Sequence, residues 1–384
     1  MNLKNRIVTN LRRRVESDDS LKAELERCIA SAAWTPPGWS APISDLGGLY
    51  THLDQLLGTT PVDATFDNLF HGLYYIVSQD DNALQRDKRF VGFQRWLEVF
   101  VEVYGSMMNT AESANGLDSF LTDKTFEIEN FLVDPGGFGC FNAFFSRRIK
   151  PGKRPIGAAT LAYDPPTEGH PIGPNPPEDP AAIHKNMCDD QVIVVPADSV
   201  YKGWWPISSD STITVSKGNT YSIQQLLRGS QYADRFDNGI FTHSYLSVFT
   251  YHRYHVPVRG TVLETRVIMD EVFANVVKDA AGNLSATDGT GYQFKQERGL
   301  IVLDSPVGLV ALLPIGMDFI SSANFSVEVG DYLNKGDEFG YFLFGGSDMI
   351  MLFELGKDEI DIHMPEKPAT EKFYKLGQVF GAVK

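Results

Sequence analysis

Cysteine is scarce. Cys28, Cys140 and Cys188 are the only three in 384 residues, widely spaced and odd in number. That argues against a disulfide-stapled secreted scaffold and suits a reducing compartment with idle thiols. None of the three sits in a recognisable nucleophile setting. Long apolar runs are missing as well. The stretch IVLDSPVGLVALLPIGM is broken by Asp, Pro and Gly, and nothing approaches the ~20 residues of a membrane-spanning helix. The basic start MNLKNRIVTNLRRR is not followed by an apolar region. Glu16, Asp18 and Asp19 come at once, so neither a secretory signal nor an organellar targeting peptide is read there. Positive charge is in deficit, with a formal net charge of −15, which disfavours nucleic acid and anionic membrane surfaces. The clearest basic cluster beyond the N-terminus is Arg147, Arg148, Lys150, Lys153 and Arg154. No internal repeat occurs. Gly136, Gly137 and Gly139 lack the Lys-Ser/Thr that a phosphate loop needs. The expected location is cytoplasmic.

What is present suggests two parts. The length allows two cores, and 43% hydrophobic with 22% charged residues is ordinary for a globular protein. Leu3, Ile7, Val8, Leu11, Val15, Leu21, Leu25 and Ile29 follow helical spacing. Helical patterns resume around 46–57, 63–78 and 90–110. The Pro- and Gly-rich segment 151–187 reads as a long loop. From 191 to 356 short β-type runs alternate with turn residues, such as GN at 218–219 and DGTG at 288–291. The fold class expected is α+β. A helical N-terminal domain over 1–130 precedes a β-rich domain over 131–384, a barrel or sandwich.

Three short motifs lie on the β-rich part: VVPADS with Asp198, YHRYHVP with His252 and His255, and FGGSDMIMLFE with Gly345, Gly346 and Ser347. Each has an ordinary reading by itself. An Asp at a strand end is usually a turn former. Two His three apart on a strand point to opposite faces and make a poor metal pair. Gly-Gly-Ser before a strand is usually a turn. No metal site is expected.

Together with FNAFFSRRIKPGKRP (Phe141 to Pro155), in this order and spacing, these motifs make a specific constellation. The chain resembles the phosphatidylserine decarboxylase family across about residues 130–356. Within it, FLVDP before the aromatic segment, Tyr254 between the two His and KGDEFGYFLFGGS resemble the soluble branch that includes fungal L-tryptophan decarboxylase. Two positions depart from the family pattern. Thr250 stands where many membrane-bound members carry an acid, and Asp348 follows the serine where Thr is usual. A carboxylate there, beside the scissile bond, is expected to slow or alter maturation.

The resemblance implies self-cleavage between Gly346 and Ser347. Decarboxylating an α-amino acid needs an electron sink that unmodified side chains lack, and a Schiff base to a ketone supplies it. The implied cofactor is a pyruvoyl group made from Ser347. The serine hydroxyl attacks the Gly346 carbonyl, elimination splits the chain, and hydrolysis of the resulting dehydroalanine gives the ketone. A glycine before the nucleophile permits the close approach. The resemblance assigns His255 as base, oriented by Asp198; residue chemistry alone leaves His252 and His255 equivalent. His252 is a candidate for proton handling during turnover. Arg253 is a candidate for holding a carboxylate. Phe141, Phe144, Phe145, Trp204 and Trp205 are candidates for lining the substrate pocket, although aromatics at this density are core residues by default.

The implied activity is that of a carboxy-lyase acting on a free L-amino acid, aromatic and tryptophan-like. The two cleavage fragments stay associated. Phosphatidylserine, giving phosphatidylethanolamine, is the competing substrate; it asks for a membrane-facing surface, for which the sequence offers only the face of residues 3–15. An uncleaved pseudoenzyme or binding module on the same scaffold is a third reading, supported by Asp348.

Overall fold

The computed structural model describes residues 3–63, 66–215, 218–270, 272–286, 291–316, 322–344 and 346–384. For residues 3–5, 66, 67, 70, 346 and 347 it describes the backbone alone. Gly345 and residues 288–290 of the expected DGTG turn lie outside the described residues.

The first third is helical. The periodic stretch 3–30 forms α1 (Leu3–Ser17) and α2 (Asp19–Ala32). It divides at Asp18, whose side chain accepts the Leu21 N–H at 3.0 Å and caps α2. Then come α3 (Leu46–Leu56), α4 (Phe66–Val77), α5 (Gln79–Arg86), α6 (Val91–Met107) and α7 (Leu117–Thr122). Leu11, Leu25, Leu53, Phe93 and Leu97 are buried among them. Trp96 ties α6 to α1 through its indole N–H on the Ile7 carbonyl at 2.9 Å. α8 (Phe141–Phe145) follows within the FNAFF motif. The expected loop over 151–187 holds no helix until Asp179, but its last residues form α9 (Pro180–Cys188). Asp179 accepts the Ala181 N–H at 3.0 Å, and Pro180 stands at the helix start, where a missing N–H costs nothing. The short α10 (Ile223–Leu226) lies among the strands, directly after Thr220–Ser222.

In chain order the first strands are β1 (Val192–Val194), β2 (Ser199–Pro206), β3 (Thr212–Thr214), β4 (Thr220–Ser222), β5 (Ile240–Tyr245) and β6 (Arg253–His255). Next are β7 (Gly260–Ile268), β8 (Val276–Lys278), β9 (Leu284–Ala286), β10 (Arg298–Ser305), β11 (Gly308–Gly316) and β12 (Asn324–Phe325). Then follow β13 (Tyr332–Leu333), β14 (Glu338–Tyr341), β15 (Gly346–Phe353), β16 (Ile360–Ile362), β17 (Lys372–Tyr374) and β18 (Val379–Val383). The main sheet has the order β13-β7-β10-β11-β15-β5-β2-β17, with β12-β14-β6 and β1-β18-β16 as separate small sheets. The α+β class holds. Among the described residues a closed barrel does not form: β13 and β17 are short edge strands that do not pair with each other, and short edges limit further pairing.

Side chains alternate across the main sheet. Met349, Met351 and Phe353 of β15 join an apolar cluster that also holds Leu11, Trp96, Phe141 and Phe144. Ile350 and Leu352 join a second cluster with Phe241 and Phe294 on the other face. The helices and one face of the sheet thus share a core.

Candidate active site

Strand register gathers the motifs at one end of the main sheet. Tyr245 at the end of β5 faces Val200 of β2 on one side and Asp348 of β15 on the other. Asp198 is the residue before β2, the chain leaving β5 leads to His252, and β15 opens with Gly346 and Ser347. The β15 register is irregular at the serine. Asp348 pairs Ile315 and Gly346 pairs Gly316, which leaves residue 347 as the extra one of a bulge. A bulge bends the strand and releases one residue from the ladder. The side chains of Gly346 and Ser347 lie outside the described residues.

Asp198 is buried, and its carboxylate is gripped by Arg154. Arg154 Nε donates to Oδ1 and Oδ2 at 2.8 and 3.0 Å and Nη2 donates to Oδ2 at 2.5 Å, while the Leu376 N–H donates to Oδ1 at 2.8 Å. Burial opposes the Arg154 charge, but Asp198 outweighs it and raises its pKa. The expected direct orientation of His255 by Asp198 is not among these bonds. His255 Nδ1 donates to the Gly336 carbonyl at 2.8 Å, and its Nε2 accepts from the Tyr251 hydroxyl, 3.1 Å away. Asp198 acts on His255 only as a nearby charge, and burial keeps His255 below its ordinary pKa.

His252 is held in the same tautomer. Its Nδ1 donates to the Thr250 carbonyl at 3.0 Å. A carbonyl only accepts, so the proton is on Nδ1 and the lone pair on Nε2. Among the described residues, that Nε2 is buried without a hydrogen-bond partner. The ring stacks on Phe145 with centroids 3.9 Å apart. Burial, then the Arg147 cation, push its pKa down to about 3, so it is neutral at physiological pH.

The chain approaching Gly346 passes directly over these groups. β14 pairs β6, with Glu338 opposite His255 and Gly340 opposite Tyr254. The Phe342 N–H then donates to the His252 carbonyl at 2.9 Å, and the Phe344 N–H to Asn142 Oδ1 at 2.9 Å. Gly340 permits this approach: a Cβ there would lie 2.1 Å from the Asn324 oxygen and 2.4 Å from the Tyr254 ring. Phe344 packs edge-on against Phe141 and Phe145, each with centroids 5.5 Å away.

The substrate-pocket candidates divide. Phe141, Phe144 and Phe145 are buried in the shared core, and Phe145 stacks on His252. Arg253 donates to the Ser146 carbonyl at 2.7 Å and to Glu338 at 2.6 Å, so its charge already has a carboxylate. Trp205 belongs to the core on the far face and Trp204 packs against the shared core. The basic cluster also divides. Arg148, Lys150 and Lys153 are exposed, while Arg147 and Arg154 are buried. Arg147 donates to the carbonyls of Phe249 and Thr250 at 2.9 and 3.1 Å. Its guanidinium lies over the rings of Phe131, Phe144 and Phe126 at 4.3, 5.1 and 5.7 Å.

Asp348 is also buried. Its Oδ2 lies 3.1 Å from His243 Nε2 and 3.2 Å from Gln293 Nε2, and accepts from the Tyr292 hydroxyl. Tyr251, Arg147, Arg154 and His243 were not marked as site residues by the sequence. The two arginines were legible as members of the FNAFFSRRIKPGKRP motif and of its basic cluster. His243 had no such signal.

A family model described as phosphatidylserine decarboxylase matches residues 178–382. The chain belongs to the phosphatidylserine decarboxylase family. Members of this family are carboxy-lyases, and its proenzymes use a pyruvoyl group formed from serine by autocatalytic cleavage. Phosphatidylserine decarboxylase proenzyme 2 of Oryza sativa subsp. japonica is 32% identical over 274 residues, 70% of this chain but 38% of the rice protein. The decarboxylase iboD of Amanita muscaria (strain Koide BX008) is 25% identical over 332 residues, 76% of this chain and 84% of the Amanita protein. A phosphatidylserine decarboxylase proenzyme of Fusobacterium nucleatum is 24% identical over 281 residues, 72% of this chain and 81% of that protein. This chain therefore spans well under half of the rice relative and most of the other two. Among the described residues, no helix is long and apolar enough to cross a membrane.

Proposed function

We propose that this chain is a proenzyme that cuts itself between Gly346 and Ser347 and matures into a pyruvoyl-dependent decarboxylase of a free L-amino acid, with residues 131–384 as its catalytic part. The observation that carries the reading is the convergence at one sheet end of the bulge at residue 347, Asp198 and the segment bearing His252 and His255.

His255 is assigned as the base that takes the Ser347 hydroxyl proton. Its tautomer leaves Nε2 as the basic atom, and Tyr251 must turn its hydroxyl away for the serine to reach it. Gly336 orients the ring, and the Asp198 charge favours the imidazolium that forms. Attack on the Gly346 carbonyl converts amide to ester. Loss of the Ser347 α-proton then expels the Gly346 carboxylate and leaves dehydroalanine at 347, which water converts to the ketone with release of ammonia. The ketone, once formed, supplies the electron sink for decarboxylation.

The environment fits such a group. Among the described residues the neutral Nε2 of His252 has no hydrogen-bond partner. Its lone pair accepts a proton, such as the one a substrate ammonium gives up, and can then pass it on inside a water-poor wall made by Phe145 and Phe344. We assign His252 to the proton that replaces the departing carboxylate.

The substrate favoured is an aromatic, tryptophan-like amino acid in the cytoplasm. A net charge of −15 suits a closed pocket better than a lipid surface. The match to the Amanita decarboxylase extends over most of both chains. Intact mass is the first test: two fragments splitting at 346/347 are expected, and none from Ser347→Ala. His255→Gln is expected to stay uncut, whereas His252→Gln is expected to cut but release little carbon dioxide. The reverse pattern would exchange their roles. Carbon dioxide release from tryptophan, tyrosine, phenylalanine and phosphatidylserine vesicles identifies the substrate. Activity on the vesicles alone would overturn the amino-acid assignment.

A further inference from the structure

The second residue after the proposed cut, Asp348, is set in a socket built from two other segments. Asp348 is fully buried, on the face of β15 that also carries Ile350 and Leu352. His243 comes from β5, whereas Tyr292 and Gln293 come from the turn before β10. Gln293 is aimed at Asp348 because its Oε1 accepts the Gly291 N–H at 2.7 Å, which turns the NH2 toward the carboxylate. His252, by contrast, stacks on Phe145 in the core of the opposite face. Asp348 is therefore not placed to exchange a proton with it.

Burying a carboxylate is costly unless it is paired, so the socket and Asp348 are physically interdependent. Their position suggests what the pairing does. In the uncut chain residue 347 is held by covalent bonds on both sides. After cutting, it becomes a strand end, and strand ends fray unless tied down. Residue 347 is already outside the regular ladder because of the bulge, so Asp348 is the first fully registered residue, paired with both Ile315 and Tyr245.

Resting on the reading above, we propose that Asp348 is a positioning residue, locked by His243, Tyr292 and Gln293, that holds residue 347 in place during self-cleavage and afterwards fixes the cofactor made from it. Its carboxylate is an anchor for the cut and no obstacle to it.

The test follows cutting and turnover in the full-length chain. Asp348→Ala is expected to slow the appearance of the two fragments, and to lower kcat per pyruvoyl group, by about tenfold or more, since a misplacement of ~1 Å costs up to about 10²-fold. KM is expected to change far less. Pyruvoyl content is read by hydrazine titration, and melting temperature by circular dichroism. Asp348→Asn, which keeps the shape and an acceptor oxygen, is expected to recover part of the rate. Tyr292→Phe removes one donor and is expected to slow cutting several-fold with little change in melting temperature. If Asp348→Ala fails to fold, the other two variants carry the test. Wild-type rates of cutting and turnover in the folded variants would overturn the proposal while leaving the decarboxylase reading intact. A wild-type chain that never cuts would overturn that reading, and the anchor role with it.

Discussion

Arg147 and His252 share one acceptor: the Thr250 carbonyl receives Arg147 Nη2 at 3.1 Å and His252 Nδ1 at 3.0 Å. The arginine thereby fixes the carbonyl that fixes the histidine's tautomer, and its charge opposes protonation of the ring. Burial pulls Arg147 down to about 9, which leaves it a cation at neutral pH. Arg147→Met should let His252 become more basic, so the acid limb of the kcat/KM profile of the matured protein should move to higher pH. Arg147→Lys keeps a cation and should leave the limb near its original place. Arg147→Met also takes the Arg147 donor from the Phe249 carbonyl, while the Thr250 carbonyl keeps His252 Nδ1. A buried group left unsatisfied costs about 1–3 kcal/mol, which urea unfolding can measure.

Arg154 and Asp198 form a buried pair, at 5% and 1% exposure of their side chains. Removing one partner strands the other. Arg154→Met should cost about 3–5 kcal/mol in urea unfolding, and the double variant with Asp198→Leu should cost less than Arg154→Met alone. Ser347→Ala is the suitable background because the chain is then expected to remain single. Equal losses from single and double variants would show that the pair itself contributes little.

Acid should destabilise the fold through its buried histidines. Burial lowers His52 from the ordinary 6.5 to about 4, and burial with Arg147 lowers His252 to about 3. Between those values and 6.5 the unfolded chain binds more protons, so stability is fully present above pH 6.5 and falls as the pH drops toward 4 and 3. His52 packs edge-on against Trp34, with ring centroids 5.1 Å apart, in the helical part. His52→Leu should therefore flatten the pH dependence of urea unfolding between pH 7 and 5 without touching the histidines beside the proposed cut.

The fragments should remain together after cutting. β15 lies between β11 and β5, hydrogen-bonded to both, and its Ile350, Leu352 and Phe353 are buried. Native size exclusion should give a single species containing both fragments, and denaturant should separate them. Separation under native conditions would contradict the sheet order.

Local periodicity made much of the architecture readable. The patterns at 46–57 and 90–110 became α3 and α6, because an amphipathic helix announces its buried face every three to four residues. The α9 helix was hidden by the prolines around it, and its cap at Asp179 is a local signal that could have revealed it. The sheet's failure to close was not readable, because closure depends on pairing between strands remote in sequence.

The motifs at Asp198, His252, His255 and Gly346–Ser347 were legible as residue types in a recognised order, and family membership follows from that order. Their partners were not. Asp198 turned to Arg154, forty-four residues away, and His255 took the Gly336 carbonyl and the Tyr251 hydroxyl. Asp348, which in sequence resembled an obstacle to cleavage, lies in a socket made by His243, Tyr292 and Gln293. Sequence by itself determined the chemical groups available, the family and the helical or strand character of most segments, since these depend on residue type and short-range spacing. Tertiary structure alone decided which charges are paired, which ring nitrogen carries the proton and which face receives each side chain. Hydrogen bonds and burial are set by strand register, and register joins residues that the sequence keeps far apart.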